Sequence, residues 1–185
     1  MKNRFTKFCE KLCEKTYVQR KGVRYIMCRR IIHLFKKGGV HTMASIFDVA
    51  KYILHEKGEM STMKLQKLCY YAQAWSLVWE DPLFDEDFQA WKTGPVCEEL
   101  FKETQGMYSV TELNEPKGDI SRLSDNQKDT INRVLKHYGD YDAGQLSQMT
   151  HLEDPWKDAR KGLDEYIGCN RPITKESMAI YYGGL

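Results

Sequence analysis

The segment from Ser61 to Trp79 limits what this chain can fold into more than any other stretch. Leu65, Leu68, Ala72, Trp75 and Trp79 recur at alternating spacings of three and four, which places them on one stripe of a helix. Cys69, Tyr70, Tyr71 and Leu77 widen the apolar surface well beyond that stripe. A helix that is apolar around most of its circumference has to be enclosed by neighbours, because no placement on a surface hides all of those side chains from water. Ser61 or Thr62 supplies the side-chain oxygen that caps its first N–H groups. The segment therefore predicts a central buried helix with the rest of a small domain wrapped around it.

At 185 residues, 42% of them hydrophobic, the chain can enclose one core around such a helix. Its net charge of +2 conceals two different segments. Residues 1–42 carry twelve Lys and Arg against Glu10 and Glu14, a balance of +10, whereas residues 43–185 have a balance of −8. We expect residues 1–42 to be a basic extension, disordered or partly helical. Tyr25, Cys28, Ile32 and Phe35 would line one face of a short helix from about Val23 to Lys37. Residues 43–185 would be the globular domain, and Met43 offers an alternative start. Cys9, Cys13, Cys28, Cys69, Cys97 and Cys169 form no compact framework and read as free thiols of a reducing compartment. Charges interrupt every apolar run of residues 1–42, and no run anywhere approaches the roughly 18 apolar residues of a membrane span. A cytoplasmic protein is the expectation.

Beyond Met43 the punctuation is regular. Ser45 and Asp48 form a capping box ahead of the stripe Ile46, Ala50, Ile53 and Leu54, and Gly58 ends that helix. After Asp81-Pro82, the residues Phe84, Glu86, Phe88 and Ala90 alternate with Asp85, Asp87, Gln89 and Trp91, the period of a short half-buried strand in a small hairpin or sheet. Gly94-Pro95 reads as the opening of a helix, with Glu98 and Glu99 near its positive end and Gly106 as its stop. Residues 107–123 read as a long loop with one edge strand at most. Ser124 and Gln127 box the start of a helix carrying Ile131, Val134, Leu135 and Tyr138, closed by Gly139. Asp142 caps a short helix, Asp154-Pro155-Trp156 starts another with the acid at the cap, and Thr174 caps the last, which ends at Gly183-Gly184. The expected fold is mainly α: six or seven helices around a central buried helix, with a small β-hairpin or short sheet.

Four blocks carry a resemblance. The run from Lys64 to Trp75 resembles the opening signature of the Panacea domain, the SocA-like antitoxin family that also includes phage-associated GepA-like proteins. Pro82-Leu83-Phe84 leading to Ala90-Trp91-Lys92-Thr93-Gly94-Pro95-Val96 is similar to its second block. Leu146-Ser147, Thr150-His151 and Asp154-Pro155-Trp156 resemble the third, and Pro172 to Glu176 the closing one. The resemblance implies an antitoxin of a bacterial or phage toxin–antitoxin pair, which neutralises a cognate protein toxin by direct binding. It also implies an alternative, an adaptor that delivers the toxin to an ATP-dependent protease. Neither role requires a cofactor or catalysis.

The residues themselves single out candidate contacts. Trp91 and Lys92, next to Gly94 and Pro95, offer aromatic area and a cation to an acidic partner surface. The structural alternative makes Gly94-Pro95 a turn and Trp91 a core residue. His151 and Trp156 complete the candidate partner-binding set, with His151 also readable as a hydrogen-bonder between two short helices. A catalytic pair of Cys97 and His151 would need an orienting third group that the sequence does not fix, and neither His151 with Glu153 and Asp154 nor Cys9, Cys13, Cys28 and His33 makes a convincing metal set. The expectation is no enzyme, no metal and no cofactor. Nucleic acid could be bound only through the basic residues 1–42, since an acidic body repels phosphate.

Overall fold

Helices end where side-chain oxygens and glycines can satisfy the backbone groups left over at their termini, and the boundaries here follow that rule. The computed structural model describes residues 15–20, 23–28, 43–114, 117–164 and 167–185. In chain order its elements begin with strands β1 (Lys15–Arg20) and β2 (Val23–Cys28), helix α1 (Ile46–Lys57), strand β3 (Met60–Ser61) and helix α2 (Thr62–Trp79). Strands β4 (Phe88–Trp91) and β5 (Gly94–Cys97), helix α3 (Glu98–Thr104) and strand β6 (Ser109–Val110) follow. Helices α4 (Asp125–Tyr138), α5 (Ala143–His151) and α6 (Asp154–Ala159), strand β7 (Pro172–Ile173) and helix α7 (Lys175–Gly183) complete the order. Seven α-helices and three small antiparallel sheets among the described residues make the fold mainly α with minor β.

Every residue of α2 from Leu65 to Leu77 is buried. Aromatic rings interlock around it: Tyr71 stacks on Tyr138 of α4 at 3.9 Å, and Trp75 meets Tyr182 of α7 edge-on at 5.4 Å. Ser61 caps α2 through the Lys64 N–H. Capping boxes at Ser45, Ser124 and Asp142 start α1, α4 and α5, and Thr174 caps α7.

Three expectations need correction. Gly94-Pro95 does not open a helix: Gly94–Cys97 is strand β5, and α3 starts four residues later at Glu98. The chain stays extended there because it pairs antiparallel with β4, Trp91 opposite Gly94 and Phe88 opposite Cys97. At α6 the cap position is Glu153, with Asp154 already inside the helix. Residues 23–28, expected in a basic helix, form strand β2 against β1; Thr16, Tyr17, Val18, Val23, Tyr25 and Ile26 are strand-forming types. The rest of that expected helix, with Ile32 and Phe35, lies outside the described residues, as do Cys9, Cys13 and His33.

Candidate interaction site

A two-residue hairpin needs its outer backbone groups satisfied, because an unpaired buried C=O or N–H costs about 1–3 kcal/mol. The β4–β5 hairpin achieves this mainly with side chains. On the β5 edge, Gln66 Nε2 donates to the Cys97 carbonyl at 3.1 Å while the Cys97 N–H donates to Gln66 Oε1 at 2.9 Å. The neighbouring Lys67 Nζ donates to the Pro95 carbonyl at 2.9 Å. Pro95, which has no N–H, sits on an edge that asks for none. Ser147 of α5 donates to the Thr93 carbonyl at 2.7 Å, and Trp156 Nε1 of α6 to the Trp91 carbonyl at 2.9 Å. On the other side, β7 adds a third strand, Ile173 opposite Phe88, and Arg160 donates to the Ala90 carbonyl at 2.9 Å.

The carbonyls of Ala90, Trp91, Thr93, Pro95 and Cys97 are thus each held by a side chain from α2, α5 or α6, or by Arg160 just beyond α6. Gln73 does the same for the approach to the hairpin, bonding the Leu83 N–H and the Phe84 carbonyl, both at 2.8 Å. What this scaffold leaves outward is the tip. Lys92 and Thr93 are exposed, Trp91 is half-buried with its ring edge-on to Phe101 at 4.8 Å, and Gly94 and Pro95 are buried. Gly94-Pro95 thus turns the hairpin into β5, the Trp91 carbonyl is held by Trp156, and the Lys92 side chain is exposed at the tip.

The other two candidates lie beside the tip. His151 stacks on Trp156 at 4.0 Å and 14°, and the Arg160 guanidinium lies 5.0 Å from the same indole. Leu152, between His151 and the start of α6, is 75% exposed. All six candidates thus gather at one corner of the fold: Trp91, Lys92, Gly94 and Pro95 on the hairpin, His151 and Trp156 on the adjoining helices. Sequence reasoning passed over Gln66, Lys67, Ser147 and Arg160, which position that corner. For Gln66 and Lys67 the available signal was their polarity within a run that has no water-facing side, since buried polar groups are almost always paired; Ser147 and Arg160 lie on or next to helices with an exposed face and carry no such signal.

Two ionisable groups are buried at the central helix, Lys67 on α2 itself and Glu153 against its Tyr71. Burial lowers the Lys67 ammonium to about 7. Burial pushes the Glu153 carboxyl up to about 7, against the opposing pull of the Tyr182 and Tyr71 hydroxyls that donate to it. The Cys97 thiol donates to Glu99 at 3.1 Å and is pushed up to about 12, chiefly by burial. Such a thiol is a poor nucleophile near neutrality. Among the described residues no group of three or more His, Cys, Asp or Glu is placed to hold a metal ion, and no helix is long and apolar enough to cross a membrane.

The sequence model of the family described as antitoxin SocA-like, Panacea domain, matches residues 65–157. That span runs from the central helix through the hairpin to Lys157 of α6. Neither a curated protein nor a solved structure matches the chain.

Proposed function

Because this chain belongs to the SocA-like, Panacea-domain family of antitoxins, we propose that it neutralises a cognate protein toxin by direct, non-covalent binding. The contact surface is the corner formed by the β4–β5 tip and the α5–α6 junction. Trp91, Lys92 and His151 meet the partner there, and Gly94, Pro95 and Trp156 hold the surface in shape.

One observation carries this reading: side chains of three helical segments are spent on five carbonyls of one hairpin, so that a two-residue tip stands rigid at the surface. A pre-ordered tip loses little conformational entropy on association, which favours affinity for a single partner. The work asked of the chain is recognition, with no bond made or broken.

Co-expression with the product of the neighbouring gene tests the proposal. The expected result is that the neighbour arrests growth alone, is harmless in the presence of this chain, and co-purifies with it intact. A neighbour that is harmless alone, or that never co-purifies, would overturn the reading. A neighbour whose abundance falls only when an ATP-dependent protease is present would make the chain an adaptor instead.

A further inference from the structure

A carboxylate at the position before a helix ordinarily bonds the N–H groups of the first turn. Glu153 holds that position for α6 but makes no cap bond; its side chain is turned into the core, and the residue is 7% exposed. There the Tyr71 hydroxyl of α2 donates to one carboxyl oxygen at 3.0 Å, and the Tyr182 hydroxyl of α7 donates to the other at 2.5 Å. One side chain thus fastens the α5–α6 junction to two other helices. The groups around it suit a neutral acid. Tyr70 and Tyr71 face it from α2, Tyr138 from α4, and Tyr181 and Tyr182 from α7. At the junction itself Asp154 and Lys157 pair with each other at 2.8 Å, and His151 stacks on Trp156. Arg160, at the far end of α6, donates to the carbonyls of Ala90, Asp164 and Ile167. Among the described residues no lysine or arginine pairs with Glu153. A buried carboxylate without a cation is costly, so the proton that neutralises it is part of the packing. Protonated, the carboxyl can donate to the Tyr182 oxygen. The freed Tyr182 O–H can then turn to the Tyr70 hydroxyl, which is buried and has no other partner among the described residues.

We propose that Glu153 is a proton-controlled pin on the partner-binding corner. With its proton it seats the α5–α6 junction against α2 and α7. When the proton passes to solvent, the anion is drawn toward water and the junction loosens. The chain couples this directly to the contact surface. His151 and Leu152 precede Glu153, and Pro155-Trp156 follow it closely, with Trp156 holding the Trp91 carbonyl at the hairpin tip. A displacement at residue 153 therefore reaches both halves of the corner. Burial sets the change near neutrality, because it pushes the carboxyl up to about 7 from an ordinary 4.5. The hold is complete below that ordinary value and is lost as pH climbs to 7. The inference rests on the antitoxin reading and adds the regulation of its contact surface: the partner is held more firmly in mildly acid than in mildly alkaline solution.

Amide hydrogen exchange of the full chain tests the pin, read by mass spectrometry at about pH 5.5, 6.5 and 8 and corrected for the intrinsic pH dependence of exchange. Opening of residues 143–160 is expected to increase about tenfold or more from the lowest pH to the highest, most of it below pH 7. Glu153→Gln keeps the size of the side chain but has no proton to lose, and should show no such increase. Tyr182→Phe removes a hydroxyl that stabilises the anion, so the increase should move to higher pH. A readout that needs no Glu153→Gln is the carboxyl ¹³C signal: one glutamate of the unaltered chain should titrate near 7, with its midpoint raised in Tyr182→Phe. Opening that is equal at all three pH values, an increase retained in Glu153→Gln, or no carboxyl titrating near 7 would overturn the proposal. The co-purified product of the neighbouring gene should leave the unaltered chain about tenfold faster at the highest pH than at the lowest, with that ratio lost in Glu153→Gln. If the junction opens but release does not follow, the regulation fails and the antitoxin reading stands. If the unaltered chain holds no product at all, the antitoxin reading fails, and exchange and titration still judge the pin.

Discussion

Lys67 reaches the Pro95 carbonyl at 2.9 Å only because Gly94 has no side chain. A Cβ on Gly94 would lie 2.7 Å from Lys67 Cε and 2.7 Å from Thr150 Oγ1, and its φ of +102° is one that side-chain-bearing residues rarely adopt. One glycine thus lets α2, α5 and the hairpin close on a single point.

Gly94→Ala is accordingly expected to cost about 2–4 kcal/mol, the sum of a strained backbone and an overpacked contact. Gly106, with φ of +85° and nothing within 4 Å of the position a Cβ would take, separates the two contributions. Gly106→Ala should cost about 1–2 kcal/mol from the backbone alone. Urea unfolding midpoints at unchanged slope measure both, and equal losses would show that close approach at Gly94 is unimportant.

The same lysine should leave its mark on the pH dependence of stability. Its folded-state value is lowered from 10.5 to about 7, so between those limits the unfolded chain holds a proton that the folded chain does not. Stability therefore rises with pH across that window, by up to about 1.4 kcal/mol per pH unit, and is lost as pH falls toward 7. Lys67→Met should abolish the rise between pH 7 and 10.5. Denaturant titrations at intervals of one pH unit decide it; a slope unchanged in the variant would show that the ammonium stays solvated or neutralised.

Glu153 carries the opposite sign. Its folded-state value is raised from 4.5 to about 7, so its contribution is fully present below 4.5 and declines as pH climbs to 7. Glu153→Gln should flatten that decline while keeping an oxygen as acceptor for Tyr71 or Tyr182. The two windows meet near neutrality, so the combined contribution of Lys67 and Glu153 is lowest there. The double variant should show neither slope.

Much of this architecture is legible in the sequence, and the exceptions have a common cause. The run from Leu65 to Leu77 announces its own enclosure, and Ser45, Ser124, Asp142 and Thr174 mark helix starts because a cap is satisfied within three residues. Gly94-Pro95 misleads because the pair has two physical uses. It can begin a helix, where proline's missing N–H is harmless, or it can turn a hairpin into an edge strand, where it is equally harmless. What decides between them is Gln66 and Lys67, about thirty positions upstream, which pair with the outer edge of β5. The meeting of Trp156 with Trp91 across 65 positions is likewise invisible to local patterning. Local capping is read from neighbours; a contact set by tertiary closure is not.

Trp156 and Lys92 should separate holding the tip from touching the partner. Trp156→Phe keeps an aromatic ring in place of the indole but removes the N–H that bonds the Trp91 carbonyl. Leaving that acceptor unpaired should cost about 1–2 kcal/mol and speed amide hydrogen exchange in β4 and β5. Lys92→Glu changes an exposed side chain at the tip, so its cost in stability should be smaller than that of Trp156→Phe. Its effect should fall on association with an acidic partner: a slower on-rate of about tenfold at low salt, shrinking as salt is raised, with little change in off-rate. Surface plasmon resonance with the co-purified partner reads both rates. If Lys92→Glu changed neither rate while Trp156→Phe changed the off-rate, the tip would be a structural strut and the partner would dock elsewhere.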